Sequence, residues 1–125
     1  MATELKEVVF SNALVTQEAW EMNQGNATGT GEWVEMKGVL TASIIAEDDT
    51  ATAFSGTCII YGSNKDTPPT AVADADPLVT LTNRAGWQGS WGSGSLVPRW
   101  IRVDIATRNA GSVVVNMFRT VLNEG

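Results

Sequence analysis

The chain has 125 residues and a mass of 13.3 kDa, a size that suits one domain. Hydrophobic residues make up 43% of it and charged residues 18%, which is enough apolar material for a core and too little charge for a disordered chain. Acidic residues number 14 against 8 basic ones, so the net charge is -6. This negative charge argues against partners that are nucleic acids or anionic membranes.

The sequence contains no histidine and one cysteine, Cys58. The most frequent general base is therefore missing, together with a frequent zinc ligand. The sequence also lacks a phosphate-binding loop and a nucleophile elbow. We expect no enzymatic activity, no cofactor and no metal site. Cys58 lies in an apolar run without a basic neighbour, which predicts a buried structural thiol.

Neighbouring acidic residues offer two alternatives. Paired carboxylates hydrolyse glycosides, and two pairs are near in sequence, Glu32 with Glu35 and Asp74 with Asp76. The odd separation of Glu32 and Glu35 directs them to opposite faces of a strand. The acidic run at residues 47–49 and the pair Asp74 and Asp76 could supply oxygen ligands to calcium, although neither has the spacing of a calcium-binding loop. Solvated surface carboxylates are the simpler interpretation of both.

The N-terminal region has little periodicity. One apolar triplet predicts a short strand: Val8, Val9 and Phe10. Residues 17–22 have the composition of a short helix. We therefore divide the chain into an arm at residues 1–30 with one short strand and a β-sandwich domain at residues 31–125. Such an arm is suited to packing on a neighbouring subunit.

Strand patterns dominate the rest of the chain. Candidates lie at residues 32–36, 39–45, 54–61 and 78–81, separated by glycine, proline and acidic turns. Residues 54–61 are apolar on both faces, which predicts a central strand.

The clearest alternation is at residues 99–105, where Ile101, Val103 and Ile105 share one face. A run rich in β-branched residues follows at 112–118, and we predict that the two strands form a hairpin. About seven to nine short strands in total predict an all-β fold, a single antiparallel β-sandwich or jelly roll with an extended N-terminal segment.

The glycine- and serine-rich stretch at residues 86–95 predicts a loop that carries Trp87 and Trp91. Three alternatives are open for these rings. They fold back over the core, fill a pocket on a partner protein, or stack with Asn83 and Arg84 nearby on a sugar.

Protein contacts would concentrate on aromatic anchors. The candidate partner-binding residues lie in the arm, the tryptophan loop and the last strand: Val8, Val9, Phe10, Trp20, Trp87, Trp91, Asn116 and Phe118.

Three segments in order resemble a pattern found in virion proteins of tailed bacteriophages. An apolar strand ends in a Gly-Ser-Asn turn at residues 58–64, an aromatic-Ile-Arg-Val strand follows at 100–103, and a valine-rich strand begins after the turn at Gly111. The order is also similar to that of discoidin-like and other jelly-roll binding modules, in which the Gly-Ser-Asn turn is usually followed by Asp-Gly and a tryptophan. This chain has Lys-Asp-Thr-Pro-Pro at 65–69 instead.

The resemblance implies a structural virion protein of the capsid decoration (cement) type, made in the host cytoplasm and located on the outer capsid surface. Its partners would be the major capsid protein and further copies of itself, as a dimer or trimer. A carbohydrate-binding sandwich of a phage tail, a fibre or a secreted enzyme is the alternative. The net charge favours the outer surface because packaged DNA repels an acidic protein.

Overall fold

The computed structural model describes residues 3–92 and 96–123, and these residues form ten strands and one short 3-10 helix. The strands are β1 Glu4–Ser11, β2 Val15–Gly25, β3 Gly29–Thr30, β4 Val34–Glu35, β5 Val39–Asp48, β6 Ser55–Ser63, β7 Asp76–Thr82, β8 Trp87–Trp91, β9 Trp100–Ala110 and β10 Val113–Leu122. The 3-10 helix, Val72–Asp74, precedes β7.

The strands form two antiparallel sheets that pack face to face. The first, sheet A, has the order β1-β2-β10-β5-β8. The second, sheet B, has the order β3-β9-β6-β7, and β4 also pairs with β9. The predicted antiparallel β-sandwich is confirmed. The predicted central position of residues 54–61 is also confirmed, because β6 lies between β9 and β7.

The core lies between the two sheets and consists of the side chains that point inward from their strands. Sheet A contributes Met22, Ala42, Ile44, Ala46, Val113, Val115 and Met117, and sheet B contributes Cys58, Ile60, Leu81, Ile101, Val103 and Ile105. Alternation at period two explains this arrangement because every second residue of a strand points to the same face.

The predicted hairpin of β9 and β10 is wrong. Within the described residues, β9 pairs with β3, β4 and β6, whereas β10 pairs with β2 and β5 in the other sheet. The turn at Gly111 carries the chain from sheet B to sheet A. Val103 of sheet B and Val115 of sheet A therefore point into the core from opposite sides. Alternation identifies the buried face of each strand but does not identify its hydrogen-bonding neighbour.

The crossing turn depends on Gly111, whose φ is 70°. A Cβ there would lie 2.5 Å from the Ala53 carbonyl oxygen. We therefore expect Gly111→Ala to lower the free energy of unfolding by about 2 kcal/mol or more. The matched control is Gly86→Ala, since a Cβ at Gly86 meets no atom within 4 Å. Urea unfolding should separate the two variants, and equal midpoints would contradict the account of this turn.

The N-terminal region also differs from expectation. Residues 17–22 belong to β2, so the predicted helix is wrong, and residues 1–30 contain more than the one short strand expected. β2 is hydrogen-bonded on both sides, to β1 and to β10. Its place inside sheet A overrides the helix propensity of its residues.

Burial makes Cys58 an unreactive thiol. Its side chain is completely buried, and desolvation, followed by the negative charge of Asp104, raises the pKa of the thiol from 9.0 to about 12. The folded protein therefore keeps the thiol protonated between these two pH values, where the unfolded chain ionises. Linkage then predicts that stability declines as the pH rises from about 9 toward 12.

We expect a disulfide reagent at pH 8 to modify Cys58 only at the rate of unfolding. The measurement is the modification rate across a urea series, compared with unfolding followed by tryptophan fluorescence. Rapid modification in the absence of urea would show that the thiol is accessible in the native protein.

Candidate protein-binding surface

Exposed apolar side chains are concentrated in the strands of one of the two sheets. Of the 11 large exposed apolar residues described, all but Leu78 and Leu96 lie in sheet A or in the turn between β1 and β2. They are Leu5, Val8, Val9, Phe10, Leu14, Leu40, Ile45, Phe118 and Leu122. Scattered apolar residues are normal on a protein surface, whereas a concentration of them indicates an interaction site.

The outward side of sheet A, called here the A face, is organised around β10. Strand register places Phe118 between Ala19 of β2 and Ser43 of β5. The next row along the strands places Asn116 between Glu21 and Ile45. Cross-strand neighbours share a face, so these side chains lie side by side.

Phe118 separates two hollows in the A face. A depression of about 320 Å³ lies on one side, and a smaller one of about 240 Å³, which reaches Trp91, lies on the other. The first extends from β1 to β5 and is lined by Lys6, Ala19, Trp20, Ser43, Ile45, Asn116, Met117 and Phe118. Small side chains at Ala19 and Ser43 leave Phe118 prominent, with 40% of its surface exposed.

The β1 side of the A face is acidic. Register aligns Glu4 with Glu21 and Glu7 with Ala19, so the three glutamates lie on the outward side. The Lys6 ammonium lies 2.8 Å from the Glu4 carboxylate and 3.8 Å from that of Glu21. The hydrogen bond that Lys6 donates to the Glu4 carboxylate, followed by the negative charge of Glu21, raises the pKa of Lys6. Lys6 therefore stays protonated, and its charge offsets only part of the acidic rim.

The structure places Trp87 and Trp91 in strand β8 rather than in a loop. They align with the buried Ala46 and Ala42 of β5, and both indoles pack against the core. The Trp87 ring lies over Gly89, where a Cβ would come within 2.5 Å of it. These two rings therefore do not form an outward platform for a sugar. Residues 93–95 of the predicted loop lie outside the described residues.

Trp20 is also turned inward. Its indole nitrogen donates to Glu18 at 3.0 Å, and the Arg119 guanidinium lies 5.0 Å from the ring centre. Trp20 lines the larger hollow, but its ring belongs to an ion-paired cluster beneath sheet A.

The apolar triplet of the N-terminal region lies in β1, an edge strand of sheet A whose eight residues are all exposed. Val8 aligns with Glu18 on the inward side, and Phe10 aligns with Gln17 on the outward side. Val9 occupies a register shift between them. Among the candidates, Phe10, Asn116 and Phe118 thus lie on the A face.

The sequence did not single out Lys6, Ala19, Ser43 or Ile45 as members of this surface. Only β-strand alternation could have indicated them, because Ile44 and Ile45 are equivalent until one of them is known to be buried.

Two of the acidic residues considered as calcium ligands, Asp48 and Asp49, have structural roles. Asp48 accepts a hydrogen bond from the Phe54 amide at 2.8 Å, and Asp49 pairs with the Gln24 amide. Within the described part of the chain, no group of three or more Cys, Asp or Glu residues is arranged to hold a metal ion. None of its helices has the length and hydropathy needed to span a membrane.

The fold and this surface define a class of protein, an antiparallel β-sandwich in which the outward side of one sheet carries an apolar hollow and an acidic rim. No protein-family model matches the chain, and no curated protein does. Among solved structures it is similar to the crystal structure of the SPBc2 prophage-derived protein YomS, with a TM-score of 0.54. The match covers 91% of this chain and 99% of that chain at 11% identity, which shows a shared fold.

Proposed function

We propose that the chain is a structural protein of a bacteriophage particle that binds other virion proteins through the A face. The carrying observation is the apolar hollow of the A face, in which Ile45 is 42% exposed and Phe118 40% exposed. The likeness to a prophage-derived protein over nearly the whole of both chains supports a phage origin. Within the particle, we place the protein on the outer capsid surface as a decoration protein that binds the major capsid protein.

The sheet edges favour binding by a face rather than by strand addition. β1 carries two register shifts and Lys6, and β7 carries Pro77, which lacks an amide hydrogen. Bulges, lysine and proline at edges all oppose pairing with another chain. The edge strand β8 has only five residues.

The proposed function is tested in particles of the phage or prophage that encodes the chain. We expect the protein to co-purify with intact particles and gold-labelled antibody to mark the outside of their heads. Phe118→Asp should remove it from the particles, whereas Thr80→Asp, at an exposed position of sheet B, should leave it bound. Absence of the wild-type chain from purified particles would refute a virion role, and labelling of tails would refute the capsid location.

Self-association as a dimer or trimer is the remaining part of this proposal. Mass measurement of the isolated chain in solution tests it separately from particle binding.

A further inference from the structure

From the A face we infer the chemistry of its partner, which deepens and rests on the proposed function. We propose that the larger hollow binds an apolar or aromatic side chain of another protein, in a segment that carries lysine or arginine on either side of it. A volume of about 320 Å³ is at the lower limit for small-molecule pockets, which span about 300–1,000 Å³. It is a size suited to one inserted side chain.

The apolar part of the site is supplied by three strands. Ile45 is 42% exposed and Phe118 40% exposed, and both line the hollow. Ala19 forms a low point between Phe118 and β1. An inserted ring would be covered by Ile45 and Phe118 and would displace water from both. The amide of Asn116 provides a polar group at the same place.

The charged residues around the hollow determine which residues of the partner can flank the inserted side chain. Glu4, Glu7 and Glu21 lie outward on β1 and β2, and Glu47 lies outward on β5, aligned with Val114. Arg119 is turned inward and paired with Glu18, so Lys6 is the one cation of the described strands of sheet A that faces outward. Four glutamates and one lysine give the A face a net charge of -3.

The negative net charge of the A face also excludes a second copy of this chain as the partner that fills the hollow. Two A faces in contact would bring four glutamates of one chain against four of the other, and like charges across an interface are strongly unfavourable. A basic segment instead completes charge complementarity, accelerates association and makes it sensitive to salt.

The test uses a nonapeptide with a central phenylalanine and two lysines on each side, titrated into the full chain by NMR at low ionic strength. We expect shift changes at Ile45, Asn116 and Phe118, and binding weakened about tenfold or more when the phenylalanine of the peptide is replaced by alanine. Glu4→Gln, Glu7→Gln and Glu21→Gln combined should weaken binding severalfold and reduce its salt dependence, without changing the unfolding midpoint much.

Three results would overturn the proposal. The first is equal binding of a peptide in which glutamates replace the lysines. The second is the absence of shift changes on the A face. The third is a dimer of the wild-type chain that Phe118→Asp dissociates, since a second copy would then be the occupant. The particle experiment is independent of all three. If Phe118→Asp removes the chain from particles but the basic peptide does not bind, the proposed chemistry fails and the proposed function stands.

Discussion

Arg119→Met is expected to lower the free energy of unfolding by about 3 kcal/mol. Only 9% of Arg119 is exposed, and its Nε lies 2.9 Å from the Glu18 carboxylate. A second guanidinium nitrogen donates to the Glu35 carbonyl at 2.8 Å. Arg119 thereby joins β10 and β2 of sheet A to β4 of sheet B. Its removal leaves the partly buried Glu18 carboxylate without its countercharge, and the Glu35 carbonyl without the guanidinium donor.

Urea unfolding measures this loss, and a second arginine provides the control. Arg99 forms an ion pair with Asp66 at 2.7 Å, but both side chains are largely exposed, so Arg99→Met should change the stability little. Arg119→Lys should recover only part of the loss, because an ammonium group cannot reach two acceptors with the fixed geometry of a guanidinium. Similar losses for Arg119→Met and Arg99→Met would show that the cluster under sheet A does not join the sheets.

Met117→Ala and Phe118→Ala form the second large contrast, in two adjacent residues of β10 that face opposite sides. Met117 is 1% exposed within the core, and its truncation should lower the free energy of unfolding by about 2–5 kcal/mol. Phe118 is 40% exposed, so its truncation should have a much smaller effect on stability. We expect the opposite order for association with particles, which Phe118→Ala should weaken about thirtyfold or more.

Denaturant unfolding and co-sedimentation with particles measure the two effects on the same preparations. A variant Phe118→Ala that binds particles like the wild type would show that the A face is not the interface. Val115→Ala truncates a core residue of the same strand that does not line the hollow, and assayed below its unfolding temperature it controls for loss of binding through loss of structure.

The faces of several strands could be predicted from the sequence, but their pairing could not. Alternation at Ile101 and Val103, and at Val113 and Val115, identifies residues that the structure buries. The two strands, β9 and β10, could still form a hairpin or belong to opposite sheets, since both arrangements bury the same side chains. Positive φ at Gly111 is compatible with either connection.

Local composition misled the prediction of β2 and β8. Residues 17–22 are good helix formers, yet the inward Trp20 and Met22 alternate with outward residues as β-strand period requires. Trp87, Gly89 and Trp91 have the same period, but glycine and serine between them indicated a loop. In both cases, hydrogen bonding to neighbouring strands decided the structure.

The candidate surface was predictable only in part. Asn116 and Phe118 could be found because they alternate with buried residues of the last strand. The acidic rim could not, because Glu4, Glu21 and Glu47 are distant in sequence and become neighbours only through strand register.

Hydroxyl-radical footprinting of the chain, free and in purified particles, tests the central claim most directly. Phe118 and Leu78 have similar exposure, 40% and 44%, but lie in opposite sheets. We predict that assembly into particles lowers the oxidation rate of Phe118 severalfold and leaves that of Leu78 nearly unchanged. An oxidation rate of Phe118 that is the same in particles and in the free chain would contradict binding through the A face.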